Sequence, residues 1–173
     1  MLSLFGPKAR DILAGCTRDD VSHEGFAFAS ARTIGIAGCP VLAMRITYVG
    51  ELGWELHLPV EYALTVYEAL HIAGQPFGLR DAGYRALETL RLEKGYRAWK
   101  GDLSTDYSLL EGGLDRFMKL DKPVDFPGKA ALLAEKQQGV KKTFATMTLD
   151  NPGEMDAPYM SPIWHKGEVV GET

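Results

Sequence analysis

The sequence predicts an α+β domain followed by the beginning of an all-β unit. Three observations carry this. Apolar and polar residues alternate with period two through much of 32–58, which marks strands. Apolar residues then recur at helical spacing between 61 and 94, with glycines at the expected ends. After Gly139 the β-like runs return. The strands and helices are segregated rather than strictly alternating, which favours α+β over a doubly wound sheet.

Taken in order, Gly6-Pro7-Lys8-Ala9-Arg10-Asp11-Ile12-Leu13 opens a helix with proline in its first turn, and Gly15 is placed to stop it. Residues 17–30 have weak patterning and read as loop. Residues 32–37 and 41–49 form a predicted hairpin that turns at Gly38-Cys39-Pro40. Gly50-Glu51-Leu52-Gly53 is a second turn, and 54–58 is a third strand. It puts Trp54, Leu56 and Leu58 on one face and Glu55 and His57 on the other. Residues 61–73 are a predicted helix, with Ala63, Val66, Tyr67 and Leu70 on one side and Gly74 as its cap. A further helix runs over 82–94. Asp81 caps it, Leu87 and Leu90 face the core, Glu88 and Arg91 pair on its surface, and Gly95 ends it. Residues 96–124 are too long for a simple connection and read as an ordered functional loop. Residues 129–137 are helical, 143–149 a strand, and 163–170 a hairpin turning at Lys166-Gly167. The pattern divides the chain into 1–139 and 140–173.

Composition narrows the function. Hydrophobic residues make up 46% of the 173 positions, enough for a core, and charged residues 24%, too few for a disordered polyelectrolyte. A net charge of −4 provides no basic field for nucleic acid. No apolar run approaches a membrane span, and the N-terminus does not have the form of a signal peptide. Cys16 and Cys39 read as small core residues in a reducing compartment, and a cytoplasmic location is expected. No glycine-rich phosphate loop follows a strand, no serine sits in a nucleophile elbow, and His23, His57, His71 and His165 have no metal-ligand spacing.

Two carboxylates stand out. Glu51 lies in a glycine-flanked turn, where a solvated acid is ordinary. Glu55 lies within a strand, opposite Trp54 and Leu56. If its face meets solvent, it is an edge carboxylate. If its face meets a pocket, it needs partners, because an unpaired buried charge is costly. A carboxylate accepts two parallel N–H bonds from the 2-amino-4-oxopyrimidine edge of a pterin. Periodicity leaves both readings open. Further on, Leu90-Arg91-Leu92-Glu93-Lys94-Gly95-Tyr96-Arg97-Ala98-Trp99 ends a helix with two aromatics, which serve either as packing or as a wall for a flat ligand.

The segments YVGELGWELHLP, AGYRALETLRLEKGYRAW, GDLSTDYSLLEGGL and FPGKAAL occur here in an order that resembles the folate-binding aminomethyltransferase family, which includes the glycine-cleavage T protein. The spellings GELGWE and LRLEKGYRAW are closest to its dimethylglycine and sarcosine dehydrogenase branch. The resemblance covers nearly the whole chain. It implies a ferredoxin-like folate-binding core followed by the start of a small β-barrel, and tetrahydrofolate as cofactor. It implies that the second glutamate of the G-E-x-G-x-E motif, Glu55, accepts hydrogen bonds from the pterin. By the same matching, Tyr48 lines the pocket and Tyr96 contacts the folate.

Two departures qualify the resemblance. The T protein has an arginine where this chain has Leu87, and the dehydrogenase branch tends to lack that arginine too. The family's catalytic aspartate lies upstream of the helix with which this chain opens, so no catalytic residue is assigned here, and the last barrel strands have no counterpart. The expectation is therefore a folate-binding segment of a longer protein that joins tetrahydrofolate to a one-carbon amine donor, giving 5,10-methylenetetrahydrofolate. Any FAD would belong to a preceding domain. Taken alone the chain is expected to be inactive and to self-associate through apolar surfaces. The rival expectations are a folate-dependent sensor or scaffold without transfer chemistry, and a folate-dependent demethylase.

Overall fold

A computed structural model describes residues 1–150 and 157–173. These form two compact units, Met1–Tyr107 and Ser108–Thr173. The chain has a mixed helix and sheet fold of the α+β class.

In the first unit the elements follow the order β1 (Leu2–Phe5), α1 (Ala9–Ala14), β2 (Ala31–Ile36), β3 (Cys39–Met44), β4 (Gly53–His57), α2 (Ala63–Gly74) and α3 (Tyr84–Glu93). The four strands make one antiparallel sheet in the order β1-β4-β3-β2. Alternation sorts its side chains as expected. Leu4, Ile34, Ile36, Val41, Ala43, Trp54 and Leu56 are buried on one face. Ala9, Ile12 and Leu13 of α1 and Val66 and Leu70 of α2 complete that core. The opposite face carries Ser3, Thr33, Leu42, Glu55 and His57, all partly or fully exposed.

Several expectations are corrected in detail. β1 was not expected. Its four residues alternate too briefly to be recognised, and they become a strand only by pairing with β4, Leu4 opposite Trp54. The β2–β3 turn is Ala37-Gly38, not Gly38-Cys39-Pro40. Both turn residues have positive φ, 49° and 81°, which suits a two-residue hairpin whose twist matches the strands. Pro40 lies within β3 opposite Gly35, beyond the last β4 partner, Leu42 opposite His57. Its missing N–H therefore costs no ladder bond there. β3 ends at Met44, so the run to residue 49 is mostly loop.

Gly74 is the last helical residue of α2 rather than a left-handed cap. It leaves room for the Leu79 side chain, and the positive φ falls at Gly78, 71°. Asp81 does not cap α3, whose N-cap is Gly83. Asp81 instead accepts bonds from the Tyr67 hydroxyl at 2.8 Å and from His71 Nε2 at 3.0 Å, and these bonds hold its carboxyl below the ordinary aspartate range.

Gly53 is required by space. A Cβ there would lie 2.3 Å from the Leu4 carbonyl oxygen and 2.9 Å from Phe5 Cα, both backbone atoms of β1. Backbone cannot rotate out of the way as a side chain can. Gly53→Ala is expected to destabilise the chain by about 1–3 kcal/mol through overpacking, read as a lower urea midpoint. An unchanged midpoint would show that β1 moves aside without cost.

The second unit contains α4 (Lys129–Gln138) and a hairpin of β5 (Pro162–His165) and β6 (Glu168–Glu172). The hairpin turns at Lys166-Gly167, with φ of 51° and 86°, as expected. The strand expected at 143–149 does not form. Among the described residues no strand lies beside it to pair with, and a strand without a partner leaves its backbone groups to solvent.

Candidate functional site

The three residues singled out from the sequence all lie in the first unit. Tyr48 belongs to the loop between β3 and β4. Val49 beside it is buried. Gly50, at φ 69°, lets the loop backbone lie against the Lys94 side chain, whose Cγ would be 2.3 Å from a Cβ at this position. Glu51 is an exposed turn residue as expected, 3.8 Å from Lys94 Nζ.

Tyr48 and Tyr96 are brought together. Their rings stack with centroids 6.3 Å apart and planes 27° from parallel. The Tyr48 hydroxyl donates to the Arg97 carbonyl at 2.6 Å. Burial pushes the pKa of that hydroxyl up. A third flat ring between two others needs about 7 Å or more. At 6.3 Å a planar ligand has to lie on an outer face of the pair or part the two rings.

Glu55 stands elsewhere in the unit, on the open face of the sheet between Ser3 of β1 and Met44 of β3. Its Oε2 lies 3.2 Å from Nε2 of His57, two residues along the same face. Among the described residues, Oε1 has no hydrogen-bond partner. The side chain is 24% exposed, neither fully solvated nor sealed off. The structure pairs Glu55 with His57 and gives it no hydrogen bond to either tyrosine.

One feature of this region was not read from the sequence. Arg91, expected in a surface pair with Glu88, is buried at 5% exposure. Its Nε donates to Glu88 Oε1 at 2.9 Å, its Nη1 donates to the Tyr96 carbonyl at 3.0 Å, and the guanidinium also pairs with Asp102. Burial works against its charge, but Glu88 and Asp102 outweigh that and raise its pKa. Leu87 and Leu90, expected to face the core, are only half-buried. An arginine in a helix reads as a surface residue, and its partner Asp102 lies beyond the helix end. The one available signal was an aspartate in a glycine-rich segment close behind the helix.

Among the described residues no cluster of three His, Cys, Asp or Glu is placed to hold a metal ion. Cys16 and Cys39 are free thiols, and burial raises the Cys16 pKa. No helix among the described residues is long and apolar enough to cross a membrane.

The family profile described as GCVT N-terminal domain matches residues 1–122. The chain is 43% identical over 173 residues to the mitochondrial dimethylglycine dehydrogenase of Mus musculus, covering all of this chain and 20% of that protein. It is 42% identical over 171 residues to the mitochondrial sarcosine dehydrogenase of Homo sapiens, covering 99% of this chain and 18% of that protein. It is also 41% identical over 141 residues to an aminomethyltransferase of Caldanaerobacter subterraneus subsp. tengcongensis, covering 82% of this chain and 37% of that one. The chain thus spans well under half the length of the relatives it matches. With a profile match over residues 1–122 of 173, it belongs to the GCVT N-terminal domain family.

Proposed function

We propose that the chain binds tetrahydrofolate through its first unit and, within a longer protein, takes part in transfer of a one-carbon unit from an amine donor to that cofactor. The observation that carries this reading is Glu55, a half-buried carboxylate with one oxygen on His57 and the other without a partner among the described residues. A carboxylate so placed can accept the paired N–H donors of a pterin edge, each a charge-assisted bond. His57 turns the carboxylate and fills one of its acceptor positions. Tyr48 and Tyr96 offer an aromatic surface, and the Tyr48 hydroxyl ties the outer end of its ring to the Arg97 carbonyl. A carboxylate acceptor and an aromatic surface are the groups that recognition of a pterin calls for. When bound, tetrahydrofolate would supply the nitrogens that accept the one-carbon unit. The contribution of these residues is binding and orientation, which lowers a transfer barrier by holding the acceptor in place.

The names of the relatives, dehydrogenases of two N-methyl amino acids and an aminomethyltransferase, support the same reaction class. On this reading the four-stranded sheet and its helices belong to a ferredoxin-like core, and the β5–β6 hairpin begins a small barrel. Isothermal titration of the chain with 5-formyltetrahydrofolate is expected to give saturable binding at one site. Heat changes no larger than dilution would remove the folate reading and favour a scaffold without ligand.

A further inference from the structure

The family reading names the tyrosines but not what fixes them. Arg91 is the only buried charge on α3, and its bonds converge on one short stretch of chain. The helix ends in a Schellman turn. Gly95, at φ 67°, donates to the Leu92 carbonyl at 2.8 Å, and Tyr96 N donates to the Arg91 carbonyl at 2.9 Å. This turn delivers Tyr96 to the Arg91 guanidinium, which binds the Tyr96 carbonyl. The same guanidinium holds Asp102, whose Oδ2 accepts the Ala98 N–H at 2.8 Å. Arg91 therefore fixes both ends of the stretch from Tyr96 to Ala98. The carbonyl between those ends, on Arg97, is the one that receives the Tyr48 hydroxyl.

We infer that Arg91, acting with Asp102, is a positioning residue that sets the geometry of the Tyr48–Tyr96 pair. Its planar fork makes this possible, because one guanidinium serves Glu88, the Tyr96 carbonyl and Asp102 in fixed directions. A lysine carries the same charge but offers no such fork. For its consequence in ligand binding the inference rests on the folate reading above, whereas the geometry of the pair is independent of it.

The test uses the 173-residue chain labelled with 3-fluorotyrosine, with the Tyr48 and Tyr96 signals assigned by Tyr→Phe replacement. Asp102→Asn keeps an oxygen for the Ala98 N–H and removes the charge, so it is the variant expected to fold. Arg91→Lys keeps the charge and removes the fork. Both are expected to shift the fluorine signals of Tyr48 and Tyr96 while the other tyrosines stay in place and cooperative unfolding is retained. Both are also expected to weaken 5-formyltetrahydrofolate binding by about tenfold, the scale of one lost charge-assisted bond. Unmoved Tyr48 and Tyr96 signals in a folded Asp102→Asn chain would overturn the inference, as would a folded Arg91→Lys chain indistinguishable from the parent. If the parent chain binds no folate, the folate reading fails by itself, and the fluorine signals still decide the positioning role.

Discussion

Replacing Glu55 by glutamine is expected to lower the affinity of the chain for 5-formyltetrahydrofolate by at least about tenfold, and replacement by alanine by roughly a hundredfold. Each charge-assisted bond to a carboxylate contributes about 1.5–3 kcal/mol, and tenfold in affinity corresponds to about 1.4 kcal/mol. Glutamine keeps one acceptor oxygen but turns an N–H₂ toward a ligand edge that itself donates. Alanine removes both acceptors and leaves the ligand donors unpaired. Stability should hardly move. Glu55 sits on the open sheet face, its partner His57 is exposed at 40%, and the buried neighbours Trp54 and Leu56 point the other way. Substitutions at such positions change stability by about 0.5 kcal/mol or less. Titration calorimetry and a urea melt on the same preparation separate the two effects. Equal affinities for the parent, Glu55→Gln and Glu55→Ala would remove Glu55 from the site.

The largest effect on stability is expected at Trp54. The side chain is fully buried, meets Phe26 edge-on with centroids 6.1 Å apart, and lies under Arg10 and Arg45 at 5.3 and 6.0 Å. Trp54→Ala should cost about 3–5 kcal/mol from lost transfer energy and the cavity left behind. That is a large part of the 5–15 kcal/mol typical of a whole domain. One term opposes it. Trp54 Nε1 is buried with no hydrogen-bond partner among the described residues, and an orphaned donor costs about 1–3 kcal/mol. Trp54→Phe removes that donor while keeping most of the ring, so it should cost much less than alanine. Urea midpoints for the two variants test the balance. Equal losses would mean that neither the ring volume that phenylalanine retains nor the removal of the orphaned donor counts at this position.

The chemistry of the sheet was legible because one face is buried. Period-two alternation in 54–58 put Glu55 opposite Trp54 before any coordinates, and the structure keeps that register. The helix ends were legible where glycine is needed for its left-handed backbone, as at Gly95 and Gly139. Gly74 looked like the same signal but is glycine for space, and sequence does not distinguish the two uses. The strand expected at 143–149 shows the limit of pattern, since pairing is a property of two segments and alternation of only one. Arg91 and Arg45 were illegible for another reason. Both are buried at 5–6% exposure, and what makes burial tolerable is a set of acceptors outside their own helix or strand, Asp102 and the Tyr96 carbonyl for Arg91. For Arg45 these are the Phe26 carbonyl at 2.6 Å and His23 Nδ1 at 3.0 Å, on a segment read as plain loop. The stacking of Tyr48 on Tyr96 was likewise hidden, although both residues had been singled out.

The pairing of β1 with β4 has a consequence for how the chain reaches this structure. The β2–β3 hairpin closes across a two-residue turn, and β4 joins β3 after a short loop, so these pairings cost little chain entropy. β1 has to return across α1, the 17–30 loop and the β2–β3 hairpin before Leu4 meets Trp54. Non-local pairings of this kind slow folding. In any molecule in which β1 has not yet docked on β4, that edge of β4 is unpaired. Until β1 docks, an extended segment of another molecule can add to the edge, which makes chain concentration during refolding a determinant of yield.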